Sequence, residues 1–296
     1  MRWIKWLSRI LIGGVCVWAG LVLYGYHLTQ QRSIPPVAIV GRNQRAVTAR
    51  RHRLITQAAY PHTLARGHKP AYAQALIQAD QYTAQQAIGL VCIPAAKIIL
   101  PIFPGTSDFA LLNGVGTYWR NQRLGQGNYV VAAHNLSGQK ALLNPMTAVK
   151  PGQHIYLTDF VHLATYTAVS NRVVTDRHSE LLAVPGPHQP AEVTLFRCVG
   201  GIGTPWREVL QGRLTSEQWL NQAAPALLRQ MRLTVNRTVT AYQVSRSRSA
   251  TPLARWGLTN YQNITHQWGW AVGVLIAAWL IDVFGTLRQR RAPVSH

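Results

Sequence analysis

The sequence predicts a mainly β domain held between two apolar helices, and three observations carry that expectation. Residues 91–214 break into short β-rich runs separated by Gly, Pro and Asn, as the strands of a barrel or a sandwich do. Apolar runs of membrane-spanning length lie near each end, over residues 10–26 and 264–287. The 30 Lys and Arg against 9 Asp and Glu leave a net charge of +21, which suits an anionic neighbour: lipid, surface polymer or nucleic acid.

The elements follow in chain order. Residues 1–9 carry Arg2, Lys5 and Arg9 and precede the uncharged run ILIGGVCVWAGLVLYGY, Ile10–Tyr26. No A-x-A cleavage site follows it, so an uncleaved anchor is expected rather than a signal peptide. Residues 27–90 read as a basic, polar extension with one helix over Ala71–Ala87. Strands are predicted at Lys97–Ile102, Asn128–Ala133, His154–Thr158, Ala164–Val174, Glu192–Cys198 and Arg207–Leu214. Residues 215–263 are expected to open with a helix at Thr215–Gln218, whose T-x-x-Q fits a capping box. A connector then carries Arg229, Arg232, Arg237, Arg246, Arg248 and Arg255, either as a solvated linker or as a lure for anionic headgroups.

From Trp256 to Ile281 there is no Lys, Arg, Asp or Glu. A second span over 264–287 is expected there, with Trp268, Trp270 and Trp279 as interfacial aromatics and Arg288, Arg290 and Arg291 as a basic stop before the tail 288–296. A buried C-terminal helix is the alternative. Two spans put both termini on one side of the membrane. Arg32, Arg42 and Arg45 offset Arg2, Lys5 and Arg9, so charge leaves the orientation open.

Several function classes drop out. No two acids lie within three residues of each other and none sits in a DxDxDG loop, so no metal site is expected. The three cysteines, Cys16, Cys92 and Cys198, form neither a disulfide framework nor a CxxC. Cys92, in an apolar VCIP run, reads as buried and inert. Without zinc-finger spacing, an RNP-like strand or a base-reading basic helix, nucleic acid is not an expected partner.

A nucleophilic Cys needs a partner to take its proton and a cation to steady the developing oxyanion. The strand Glu192–Cys198 (EVTLFRC) runs into the turn VGGIGTPW, and Arg207 opens the next strand. The strand Asn128–Ala133 ends on His134, followed by NLSG. Nucleophile, base and cation would all sit at strand ends. With 11 His and 30 basic residues such a triple is easily assembled by chance, so the residues alone leave the reading open.

Four blocks narrow it: IPAAKIILPIFPGTS (Ile93–Ser107), LLNGVGTYWRNQRLGQGNYVVAAHN (Leu111–Asn135), LLNPMTAVKPGQHIYLTD (Leu142–Asp159) and VTLFRCVGGIGTPWREVLQGRL (Val193–Leu214). In this order, with the His of GNYxxAxH and a TLxxC followed nine residues later by Arg, the chain resembles the sortases, class A most closely. The resemblance implies an eight-stranded sortase β-barrel with short helices, outside the membrane of a Gram-positive bacterium and flanked by the two transmembrane helices. It assigns catalysis to His134, Cys198 and Arg207; substrate contact is expected at Ala133 and at Arg197, where the extra cation either favours the thiolate or alters the substrate groove. Cys198 would attack the Thr–Gly carbonyl of an LPxTG-like signal on a surface protein, and the thioacyl-enzyme would pass to an amine of lipid II or another acceptor. No cofactor is implied. Three departures stand out: TLFRC has Arg197 in place of the small hydroxyl of TLxTC, the calcium-site acids of some class A members have no counterpart, and a C-terminal span is more typical of the pilin-polymerising class C. Pilin assembly is therefore the second reading. A basic, membrane-anchored protein that grips anionic wall polymer without catalysis is a third. A papain-like peptidase is disfavoured, because His precedes Cys and the Cys ends a β-rich run.

Overall fold

A computed structural model describes residues 2–31, 37–61, 69–136, 140–183, 189–200, 203–236, 242–244 and 251–290. Its strands are β1 (Ala38–Gly41), β2 (Gly89–Ile93), β3 (Ile98–Phe103), β4 (Val115–Thr117), β5 (Asn128–Ala133), β6 (His154–Thr158), β7 (His162–Thr175), β8 (Glu192–Cys198), β9 (Trp206–Trp219), β10 (Leu233–Asn236) and β11 (Tyr242–Val244). Its helices are α1 (Arg2–Gln30), α2 (Gln44–Gln57), α3 (Lys69–Gln86), α4 (Asp108–Asn113), α5 (Pro225–Gln230), α6 (Pro252–Gln262) and α7 (Ile264–Arg290).

Eight strands close into a barrel in the order β2-β3-β4-β5-β8-β9-β7-β6. Closure leaves no free edge, and period-2 alternation sorts the side chains. Val131, Ala133, Val193, Leu195 and Leu210 point into the main core, while Val130, Ala132, Phe196 and Val209 make a separate apolar cluster on the outer face. That outer cluster is the floor on which the candidate site sits.

Two expectations need correction. Thr215–Gln218 is strand, not helix. β9 runs on to Trp219, pairing Ser216 with Thr165 and Trp219 with His162. Thr215 is the extra residue of a bulge, its hydroxyl donating to the Thr165 carbonyl at 3.0 Å. A one-turn helix carries the full cost of nucleation, whereas each residue added to an existing ladder gains its bonds at once, so the capping-box signal loses. The Arg-rich connector is also no simple linker. Leu233–Asn236 pairs parallel to β1, and β11 pairs antiparallel on the other side of β1, giving a three-stranded sheet. Met231 and Leu233 are buried there with Val40 and Phe160. Arg237, Arg246 and Arg248 lie outside the described residues.

The segment 27–90 holds a strand and two helices instead of one helix. α3 answers to the expected Ala71–Ala87. α2 carries four Arg and a His in QRAVTARRHRLITQ and buries only Val47 and Leu54, two turns apart, too thin an apolar stripe to read from sequence.

At the chain's two ends, α1 packs against α6 and α7. Gly25 meets Gly257 so closely that a Cβ on Gly25 would lie 2.0 Å from the Gly257 carbonyl oxygen. The Trp18 indole donates to Gln267 at 2.9 Å and meets Trp270 edge to face at 6.4 Å. Among the described residues one stretch, Trp6–Gln30, is long and apolar enough to cross a membrane, and Gln267–Leu280 forms a shorter apolar stretch. α7 is helical through the expected second span, where the side chains at 265, 266, 281, 282 and 284–287 lie outside the described set, as do residues 291–296.

Candidate active site

Register alone brings three chemistry-bearing residues into one row. β5 and β8 pair in parallel from Asn128 with Glu192 to Ala133 with Arg197. Beyond that last pair, His134 directly follows β5 and Cys198 is the final residue of β8. β8 and β9 pair antiparallel, and Cys198 stands directly opposite Arg207. Adjacent strands are about 4.8 Å apart, so the three residues stand at neighbouring strand ends with Cys198 in the middle. Alternation puts them on the outer face, continuing the rows of Val130 and Ala132, of Phe196, and of Val209.

Cys198 is half-buried and unpaired by disulfide. The strand ends there: the Val199 amide closes onto the Trp206 carbonyl at 3.0 Å, and Gly200 turns the chain with φ at +90°. Cys92 contrasts with it. Buried in β2 at 1% exposure, its thiol is pushed up to about 12 by desolvation, so it stays protonated and is not a nucleophile.

His134 is 4% exposed. Its Nε2 lies 2.6 Å from Oδ1 of Asp108, the first residue of α4. Ser107 caps that helix by accepting from the Ala110 amide at 3.4 Å, and the His134 amide donates to the Leu111 carbonyl at 3.2 Å. One short helix therefore holds both the backbone and the ring of His134. With Nε2–H donated to the carboxylate, the neutral ring has its basic lone pair on Nδ1, a fixed tautomer of the kind proton transfer requires.

Arg207 is held by its own loop. Nη1 donates to the Thr204 carbonyl at 2.7 Å and the Trp206 carbonyl at 3.0 Å, and Nη2 lies 3.5 Å from Asp176 Oδ2. Arg207 lines a groove of about 420 Å³ together with the apolar Tyr118, Leu182, Phe196 and Val209 and the polar Asp176, His178 and Ser179. A cation in a groove with one apolar and one polar side suits an extended peptide with a carbonyl to be polarised.

Ala133 and Arg197 sit elsewhere. Both follow the inward rows of their strands: Ala133 is 1% exposed inside the main core, and Arg197 is buried against Glu208. Neither side chain joins the outer row. Sequence reasoning missed Asp108 and Asp176. The S-D of GTSDFALL marks a helix start, but nothing local ties Asp108 to His134, 26 residues on. Among the described residues no three His, Cys, Asp or Glu side chains cluster to hold a metal ion.

Comparison with known proteins places this geometry. The model of the sortase domain matches residues 91–215. The chain is 29% identical over 153 residues to sortase A of Listeria monocytogenes serovar 1/2a, spanning 52% of this chain and 68% of that protein. It is 32% identical over 130 residues to sortase A of Bacillus anthracis, spanning 44% of this chain and 60% of that one. Over 95 residues it is 30% identical to YwpE of Bacillus subtilis (strain 168), a sortase by name, spanning 32% of this chain and 90% of the relative.

Proposed function

Because the chain belongs to the sortase family, we propose that it is a membrane-anchored cysteine transpeptidase that attaches surface proteins to an amine of the cell wall. The row of His134, Cys198 and Arg207 carries this reading. His134 Nδ1 takes the Cys198 thiol proton as Sγ attacks the Thr–Gly carbonyl carbon of an LPxTG-like signal, and the C–N bond breaks to leave a thioacyl-enzyme. His134 gives its proton to the departing amine. An incoming amine then attacks the thioester, His134 takes up that amine's proton, and the thiolate leaves. Arg207 faces the oxygen on which charge develops in both steps. The apolar side of the groove beside Arg207, at Leu182, Phe196 and Val209, suits the Leu-Pro part of the signal. α1 supplies the anchor, with the barrel on the outer side, where sorting signals and wall precursors are met.

For the acceptor we favour lipid II, the class A choice. A second reading is a pilin Lys amine, which gains from the packing of the C-terminal helices α6 and α7 on α1. Full chain in detergent, given an LPxTG peptide and either a wall-precursor amine or a Lys-bearing pilin peptide, tests both. The parent is expected to join peptide to amine and the Cys198→Ala variant to form nothing. Equal product from both proteins would overturn the reading.

A further inference from the structure

We propose that Arg197 is a positioning residue that clamps the thiol-bearing and imidazole-bearing strands together where their backbone pairing ends; this rests on reading Cys198 and His134 as the reacting pair. The β5–β8 ladder stops at Ala133 and Arg197, one rung short of that pair. No backbone rung fixes the spacing where the chemistry would need it. Side chains take over there. Arg197 Nη1 donates to Asn135 Oδ1 at 3.1 Å and to the Cys198 carbonyl at 3.2 Å. Asn135 Nδ2 returns a bond to the Gly200 carbonyl at 3.4 Å. Asn135 follows His134, Cys198 ends β8 and Gly200 lies in the turn after it, so the contacts tie the two strand ends together beside the pair.

The chemistry of the residue fits the task. Arg197 is 7% exposed, and its cross-strand partner Glu208 is 2% exposed, with Nη2 and Oε2 2.5 Å apart. A buried guanidinium needs such a counter-ion, and Glu208 supplies it from the neighbouring strand. With its charge answered on the inner side of the sheet, Arg197 is poorly placed either to hold a thiolate on the outer side or to meet substrate. A planar fork can serve Glu208, Asn135 and the Cys198 carbonyl together. A Lys ammonium is a single point charge and cannot span them.

The test compares Asn135→Ala, Arg197→Lys and the parent, all as full chain. Asn135→Ala cuts the tie and leaves the buried ion pair in place, so it reports on positioning even if Arg197→Lys fails to fold. Two readouts are needed: kcat and KM for peptide acylation, and the pH profile of Cys198 alkylation by iodoacetamide, which requires no peptide. Asn135→Ala is expected to lower kcat roughly tenfold or more, because small misplacements of reacting groups are costly. Its KM should hold, its melting temperature should stay within a few degrees of the parent's, and its alkylation profile should differ from the parent's. Parental kcat together with a parental alkylation profile in Asn135→Ala would overturn the proposal. A raised KM with kcat retained would also overturn it, and would make Arg197 and Asn135 substrate contacts instead. Should the parent itself acylate no peptide, the functional reading fails at that point, while the alkylation profile still decides the clamp.

Discussion

Asp108→Asn is expected to lower the rate of thioacyl formation by about a hundredfold, the low end of what general acid–base catalysis contributes. An amide can rotate to offer Nδ2–H where the carboxylate accepted from His134 Nε2, which would favour the other tautomer, and it brings no charge to balance an imidazolium. The low end is the fitting choice, because Asp108 is about half exposed and water screens its charge, while His134 is buried. A structural loss can be told apart. Removing an acid from the first turn of α4 costs about 0.3–1 kcal/mol, since Ser107 still caps the helix. That lowers a melting temperature by a few degrees and leaves most of the rate. His134→Ala should fall further, and adding Asp108→Asn to it should change little, as expected when one residue acts through the other. Equal effects of Asp108→Asn on both His134 backgrounds would break the link. Steady-state kinetics of acylation on the four proteins decides it.

The second large effect is on Arg207. Arg207→Lys keeps the charge and loses the fork that reaches the Thr204 and Trp206 carbonyls, so the cation no longer has a fixed position beside the groove. A loss on the order of 10²–10³ in kcat is expected, the scale of removing one oxyanion donor. Asp176 is a useful contrast. Its oxygen lies 3.5 Å from Nη2, and its side chain is about half exposed, so the pair is a surface ion pair worth roughly 1 kcal/mol at most. Asp176→Asn should therefore change kcat by no more than about fivefold. If Asp176→Asn matched the loss of Arg207→Lys, the position of Arg207 would be owed to Asp176 and not to the two carbonyls.

How much of this was legible depends on how local each signal is. Asn128–Ala133, His154–Thr158 and Glu192–Cys198 fold as strands with the bounds the sequence suggests, because each is a short apolar or alternating run cut off by turn residues. The sheet β10-β1-β11 was not legible. Its strands have three or four residues each, and Ala38 meets Leu233 across about two thirds of the chain. Thr215–Gln218 carried a helix signal that pairing with β7 overrode.

At the candidate site, strand ends marked His134, Cys198 and Arg207, since a strand end is where a side chain can leave the ladder. Arg197 shows the opposite case. Next to Cys198 in sequence, it looked like part of the same surface, but successive side chains of a strand point to opposite faces, and its partner is Glu208 inside the sheet. Asp108 reaches His134 only because α4 folds back between β3 and β4, and that contact has no counterpart in local spacing.

The most direct test of the central claim is the intact mass of the full chain after incubation with an LPxTG peptide in the absence of any amine, quenched in acid. The expected result is one added acyl fragment ending at the Thr of the peptide, mapped to Cys198, released by hydroxylamine and absent from Cys198→Ala. A folded parent whose Cys198 reacts with iodoacetamide yet gains no acyl mass from the peptide would contradict it.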